Sequence, residues 1–215
     1  MSLETISRQD RTLNKELAYI IGVYLSDGSI TGKNFQLQAI DRDFVERTLE
    51  YLKVLVPKTK AYFRKRIDVG GWNKKPRYVI KVGINLLADW LINETNNKHH
   101  IPTCILEGNE GIRKWFIAGV MDGDGYITKT VRAYKSGTFQ YRIGIGGVSE
   151  GWIHEFRQLL CDMHVKCNKI ERFTTKNGKW FCRFTVRPQT FFDAGLFFTI
   201  ERKKKRCAIA SETTR

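Results

Sequence analysis

Two stretches of the chain are apolar on nearly every face of a helix. They are residues 17–27 (LAYIIGVYLSD) and 115–124 (WFIAGVMDGD). A helix with no polar side must be buried. Each stretch also carries small residues four apart, Gly22 with Ser26 and Gly119 with Gly123. That spacing puts both on one face and lets two backbones come close. The pattern predicts two helices packed against each other at the centre of the molecule.

Downstream of each helix the pattern changes in the same order. Residues 36–40 and 140–146 alternate polar and apolar and read as strands. Helical periodicity returns at 44–55 and 152–163. Strand pairs follow at 61–67 with 77–82 and at 169–174 with 180–187, then helical stretches at 86–93 and 190–198. Each half closes on a basic segment, 97–100 and 202–206. The chain is in effect written twice. Residues 19–30, YIIGVYLSDGSI, align with 116–127, FIAGVMDGDGYI, at a constant offset of 97 (124 minus 27), with Gly, Val, Asp, Gly and Ile matched. The fold class expected is α+β: two pseudo-symmetric α-β-β-α-β-β-α halves, 1–106 and 111–215, with a short link between them.

The repeat makes two aspartates conspicuous. Asp27 and Asp124 end the apolar helices, and each is followed by a glycine suited to a left-handed C-cap. A carboxylate there faces the negative end of the helix dipole, next to unpaired carbonyl oxygens. A lone Asp-Gly is an ordinary turn former. Two at equivalent places point instead to a compensating cation, and an all-oxygen donor set suits Mg²⁺.

Composition supplies the partner. Hydrophobic residues make up 42% and aromatics 12%, enough for a packed interior. Thirty-seven Lys and Arg against 22 Asp and Glu give a net charge of +15, which calls for a polyanion. Nucleic acid and anionic membrane both qualify, and the lack of a basic amphipathic helix or lipidation motif favours nucleic acid. No apolar run approaches a membrane span, and residues 1–15 hold no apolar signal core. Five cysteines in no regular framework suit a reducing compartment, so a cytoplasmic protein is expected.

With the motif, repeat and charge in view, residues 20–28 (IIGVYLSDG) and 117–125 (IAGVMDGDG) resemble the two LAGLIDADG motifs of monomeric homing endonucleases, in the style of the archaeal intron-encoded members. The resemblance spans the whole chain through the repeat order. It implies that the motif helices join the halves, that two antiparallel sheets form a DNA-binding saddle, and that a monomer cleaves a long asymmetric double-stranded target across the minor groove. It assigns the metal to Asp27 and Asp124, with the preceding carbonyls of Ser26 and Gly123 as further ligands. It assigns support of the scissile phosphate to Lys98 in the first half and to Lys203 or Lys204 in the second. Two departures stand out. The first acidic position of the motif is Asp122 in one copy and Leu25 in the other. The polar residue that commonly follows the second strand matches Asp41 and Gly147, and neither fits well. Alternatives are an RNA-binding maturase acting on intron RNA and a non-cleaving DNA-binding regulator on the same fold.

Strand alternation proposes the DNA face independently. Gln36 and Gln38 share a face, as do Arg77 with Lys81, Gln140 with Arg142, and Arg183 with Thr185 and Arg187. Arg and Gln make bidentate contacts to base edges, and a β-ribbon fits the major groove. The plainer reading is a solvated sheet face. Arg64 and Arg66, and the hairpin carrying Lys129, Arg132 and Lys135, are expected on phosphates. Cys161, His164 and Cys167 lack a fourth ligand for zinc.

Overall fold

The computed structural model describes residues 13–67, 76–131, 139–174, 178 and 180–212. The first apolar helix, α1 (Lys15–Leu25), starts earlier than its hydrophobic run because the Asn14 side chain accepts from the Leu17 N–H at 2.8 Å. Asn109 does the same for the second, α5 (Glu110–Gly123), accepting from Ile112 N–H at 3.0 Å. Each cap satisfies one of the donors a helix start leaves unpaired.

The two helices meet backbone to backbone, as the small residues require. A Cβ on Gly22 would fall 2.3 Å from the Phe116 carbonyl oxygen, and one on Gly119 would fall 2.2 Å from that of Tyr19. The contact is reciprocal, since each glycine faces the residue equivalent to the one its counterpart faces. Gly123 continues it, with a built Cβ 2.2 Å from Ser26 Oγ.

Each motif helix leads into a four-stranded antiparallel sheet. The first holds β1 (Ser29–Thr31), β2 (Asn34–Ala39), β3 (Ala61–Arg66) and β4 (Arg77–Gly83), ordered β1-β2-β4-β3. The second holds β5 (Tyr126–Val131), β6 (Phe139–Gly147), β7 (Glu171–Thr174) and β8 (Trp180–Val186), ordered β5-β6-β8-β7. Helices α2 (Arg42–Leu55) and α3 (Asn85–Glu94) complete the first α-β-β-α-β-β-α unit; α6 (Glu150–Asp162) and α7 (Pro188–Asp193) complete the second. A short α4 (Thr103–Leu106) lies in the connection, and the basic segment at 202–206 is part of a further helix, α8 (Glu201–Glu212). Phe35, Leu37, Ile80 and Val82 of one sheet, and Ile143, Ile145, Phe184 and Val186 of the other, turn inward and join the motif helices in one core. No helix among the described residues is long and apolar enough to cross a membrane.

The glycines after the motif aspartates correct one expectation. Neither Gly28 nor Gly125 has a positive φ, so neither is a left-handed cap. They are needed for room: a Cβ at Gly28 would sit 2.7 Å from the Phe35 ring, and one at Gly125 2.4 Å from the Met121 carbonyl oxygen.

Candidate active site

Packing α1 against α5 brings their C-terminal ends together. Ser26 caps α1 and Asp27 lies in the following turn, while Asp124 caps α5. A Cβ on Gly123 would lie 3.4 Å from the Asp27 amide nitrogen, so the two helix ends are in contact. Both carboxyls are pushed up by burial. Asp124 is raised to about 7, by desolvation first and then by the charge of Asp27, against the pull of Lys98 and Lys203. Asp27 is raised by desolvation and lowered by the same two lysines. Asp27 is exposed and Asp124 half-buried, and the charge of Asp27 opposes ionisation of Asp124, an arrangement that a cation beside them would relieve.

Two lysines already serve the helix ends. Lys98 Nζ donates to the Ser26 carbonyl at 3.1 Å and lies over the Tyr24 ring. Lys203 Nζ donates to the carbonyls of Met121, Asp122 and Gly123 at 2.8, 2.5 and 2.9 Å. The carbonyls expected to stand unpaired are therefore occupied by ammonium groups, which complement the negative end of each dipole. Lys203 is 5% exposed, and burial lowers it to about 8. Lys204, the competing residue, is exposed, because adjacent helical residues point in different directions.

The lysines are held by devices the sequence reading missed. Lys98 ends a run of three left-handed residues, Asn96, Asn97 and Lys98 at φ 44, 51 and 71. A lysine in that region is strained, of order 1 kcal/mol, and persists only where its surroundings impose it. The buried Thr95 does so: its hydroxyl donates to Leu91 O at 2.7 Å and accepts from Lys98 N–H at 3.2 Å. Lys203 is placed by the start of α8, which three acids anchor. Asp122 is 2% exposed and accepts from Tyr19 OH at 2.8 Å, from Thr199 N–H at 2.9 Å and from the Thr199 hydroxyl. Asp41 accepts two bonds from Arg202 at 2.8 and 2.7 Å, which hold its carboxyl below the usual range. Asp43 accepts from Glu201 N–H at 2.7 Å. Asp122 was legible in principle, since an acid inside an all-apolar helix must find buried partners. The pairing of Asp41 with Arg202, 161 residues apart, carried no sequence signal.

The outward sheet faces gather most of the expected contact residues. Gln36 pairs with Lys81 and Gln38 with Val79, while Arg64 and Arg66 of β3 face Val79 and Arg77, so all six polar side chains share one side. In the second sheet Arg142 lies opposite Thr128, and Arg183 and Thr185 lie opposite Gly146 and Gly144. Gln140 pairs with Thr130 in the ladder; its side chain lies outside the described residues, as do Arg132 and Lys135. Arg187 is exposed and caps α7 just after β8. Lys129 is on the other face: it lies opposite Tyr141, with Ile127 and Ile143, beside Arg206. Period-two alternation moves it away from Thr128 and Arg142.

The two carboxylates suit a hard divalent ion; the Ser26 and Gly123 carbonyls expected beside them accept from Lys98 and Lys203 in this structure. Among the described residues no group of three or more His, Cys, Asp and Glu that could hold a metal ion assembles. Burial and hydrogen bonds to main-chain carbonyls occupy Cys167, whose thiol is pushed up to about 12.

Paired motif helices flanked by two antiparallel four-stranded sheets define the LAGLIDADG fold. Solved structures with this fold include I-DmoI in complex with DNA and Mn (14% identity, 85% of this chain and 94% of that chain, TM-score 0.56). The N-terminal LAGLIDADG domain of DUF199/WhiA matches at 13% identity over 93% of this chain and 90% of that one, with a TM-score of 0.55. The homing endonuclease I-WcaI bound to its DNA recognition sequence matches at 14% identity over 89% and 87%, with a TM-score of 0.54. No family model matches the chain. At these identities the likeness is one of fold.

Proposed function

We propose that the chain is a site-specific DNA endonuclease that makes a metal-dependent double-strand break in a long target. The observation that carries this reading is the pair Asp27 and Asp124. Two carboxylates are forced together at helix ends, at a cost to the folded protein, with a lysine beside each. A purely structural contact has no use for that repulsion. Asp27 and Asp124 would hold Mg²⁺ or a related divalent ion; I-DmoI has been solved with Mn and with Ca. Such an ion, when bound, supplies an activated water and offsets charge on the leaving oxygen. The chain does the rest. The sheet faces bind and orient the duplex, and the polar row Gln36, Gln38, Arg64, Arg66, Arg77 and Lys81 meets base edges and phosphates. Lys98 and Lys203 keep protons at Nζ and steady the charge that builds on the scissile phosphate.

One observation favours a second reading, a DNA-binding protein that does not cut. The ammonium groups of Lys98 and Lys203 already engage the carbonyls of Ser26 and Gly123 and partly neutralise the two acids. A single experiment separates the readings. The protein is incubated with a pool of randomised duplexes in Mg²⁺, and both bound and cut molecules are sequenced. Cleavage of a defined subset, lost in EDTA, is the expected result. Asp27→Asn and Asp124→Asn should each retain binding and lose double-strand cutting by at least about a hundredfold, in line with removal of a charge-stabilising group. Full cutting by either variant overturns the assignment, and selective binding without cutting by the wild type selects the second reading.

A further inference from the structure

The two sheets differ chemically at matched positions. In the first, Ser29 lies opposite Gln36, which lies opposite Lys81; the corresponding row of the second is Tyr126, Gly144 and Thr185. Four residues further along, where the first sheet pairs Arg66 with Arg77, the second pairs Phe173 with Phe181. In these two rows the second face is aromatic where the first is polar and cationic; in the row between them the second carries Arg183 and Glu171 where the first carries Val79 and Arg64. Its rings lie across the sheet: a Cβ at Gly144 would fall 2.3 Å from Tyr126 Cζ, and one at Gly146 would fall 2.5 Å from Phe181 Cε1. Glycine in β6 is what gives those rings their place.

The nearest cation on this face is already engaged. Arg183 pairs with Glu171 at 2.8 Å and covers the Phe173 ring at 5.0 Å from its centroid. An exposed Glu171 in this strip would repel phosphates, so the strip suits a groove floor better than a backbone. The apolar group that duplex DNA offers in the major groove is the thymine 5-methyl. Stacking of unpaired bases fits less well. Phe173 and Phe181 are tilted by 50° at 5.2 Å and occupy each other, and Arg183 covers one of them.

We infer that the second sheet recognises its half of the DNA target through thymine methyl groups packed against Tyr126, Phe181 and Phe173, while the first sheet reads by hydrogen bonds. The inference rests on the reading of the chain as a DNA-binding protein. The full chain is used in EDTA, so that cleavage plays no part, to select from a randomised duplex library. The recovered pool is then remade with dTTP or with dUTP, which deletes only the methyl groups. Each buried methyl should contribute about fourfold, the factor equivalent to about 0.8 kcal/mol, so two give roughly fifteenfold weaker binding of the uracil pool. A second selection uses the double variant Tyr126→Ser, Phe181→Ser, its folding checked by circular dichroism. Thymine preference should vanish at a few positions on one side of the target and persist elsewhere, a pattern that general misfolding cannot produce. Equal binding of the thymine and uracil pools overturns the methyl inference and leaves DNA binding standing. Failure to enrich any duplex sequence, or enrichment only from a single-stranded RNA library, overturns both.

Discussion

Asp124 concentrates the tension of the molecule in one side chain. Its carboxyl has an ordinary value of 3.8 and a folded value of about 7, raised by burial and then by Asp27. The folded state therefore holds its proton more tightly than the unfolded chain does. That contribution is fully present below pH 3.8 and is lost as the pH rises through about 7. Above that point the ionised carboxylate destabilises the metal-free fold. Asp124→Asn should accordingly melt higher than wild type at pH 8 without metal, by about 2–4 °C for each 1 kcal/mol recovered. The two should converge near pH 4. A lower melting temperature for the variant at pH 8, measured by calorimetry, would contradict the claim that this acid is kept at the expense of stability. Asp27 and Asp124 were visible in the sequence because each closes an apolar helix. The ammonium groups beside them were not, since Lys98 depends on a left-handed turn and Lys203 on anchors at Asp41, Asp43 and Asp122.

At the scale of elements, everything depends on how closely α1 and α5 approach. Gly22 and Gly119 have no room for a methyl group, because the obstructing atoms are main-chain oxygens rather than movable side chains. Gly119→Ala must push the helices apart, and it should cost about 3 kcal/mol or more in urea denaturation and reduce metal-dependent cutting. Gly32 offers a contrast within the same chain: it has φ +58 and open space around it. Gly32→Ala should cost only about 1–2 kcal/mol of backbone strain and leave the site intact. Comparable losses from the two would show that helix approach is not the limiting contact. The helix boundaries were less legible than the helices. Asn14 and Asn109 start them before the hydrophobic pattern does, and Gly28 and Gly125 follow them for reasons of space rather than of φ.

Across the whole molecule, a net charge of +15 and two outward sheet faces frame the binding of a polyanion. If roughly 6–10 phosphates are contacted, affinity should fall about 10³–10⁵-fold between 50 and 200 mM salt. Both motif helices belong to one chain, so one protein molecule should bind each duplex, and analytical ultracentrifugation at increasing salt would report affinity and stoichiometry together. A flat salt response, or two chains per site, would contradict this account. On the proposed reading as a DNA-binding protein, the unlike faces of the two sheets predict unlike half-sites.

The hydrophobic pattern by itself determined the repeat, the central helix pair and the alternation of the inner strands β2, β4 and β8. All of these follow from local periodicity and from the need to bury apolar surface. It also singled out Asp27 and Asp124, because a charge closes each of two apolar helices at equivalent places in the repeat. Only the tertiary structure decided which cations meet those helix ends, that Lys203 bonds the last carbonyls of α5 while Lys204 is exposed, and that Lys129 leaves the face of Arg142. It alone showed Tyr126 and Phe181 lying over Gly144 and Gly146. Contacts of this kind join residues tens to more than a hundred positions apart. Their energy depends on distance and burial in the folded chain, quantities that no local pattern of residues encodes.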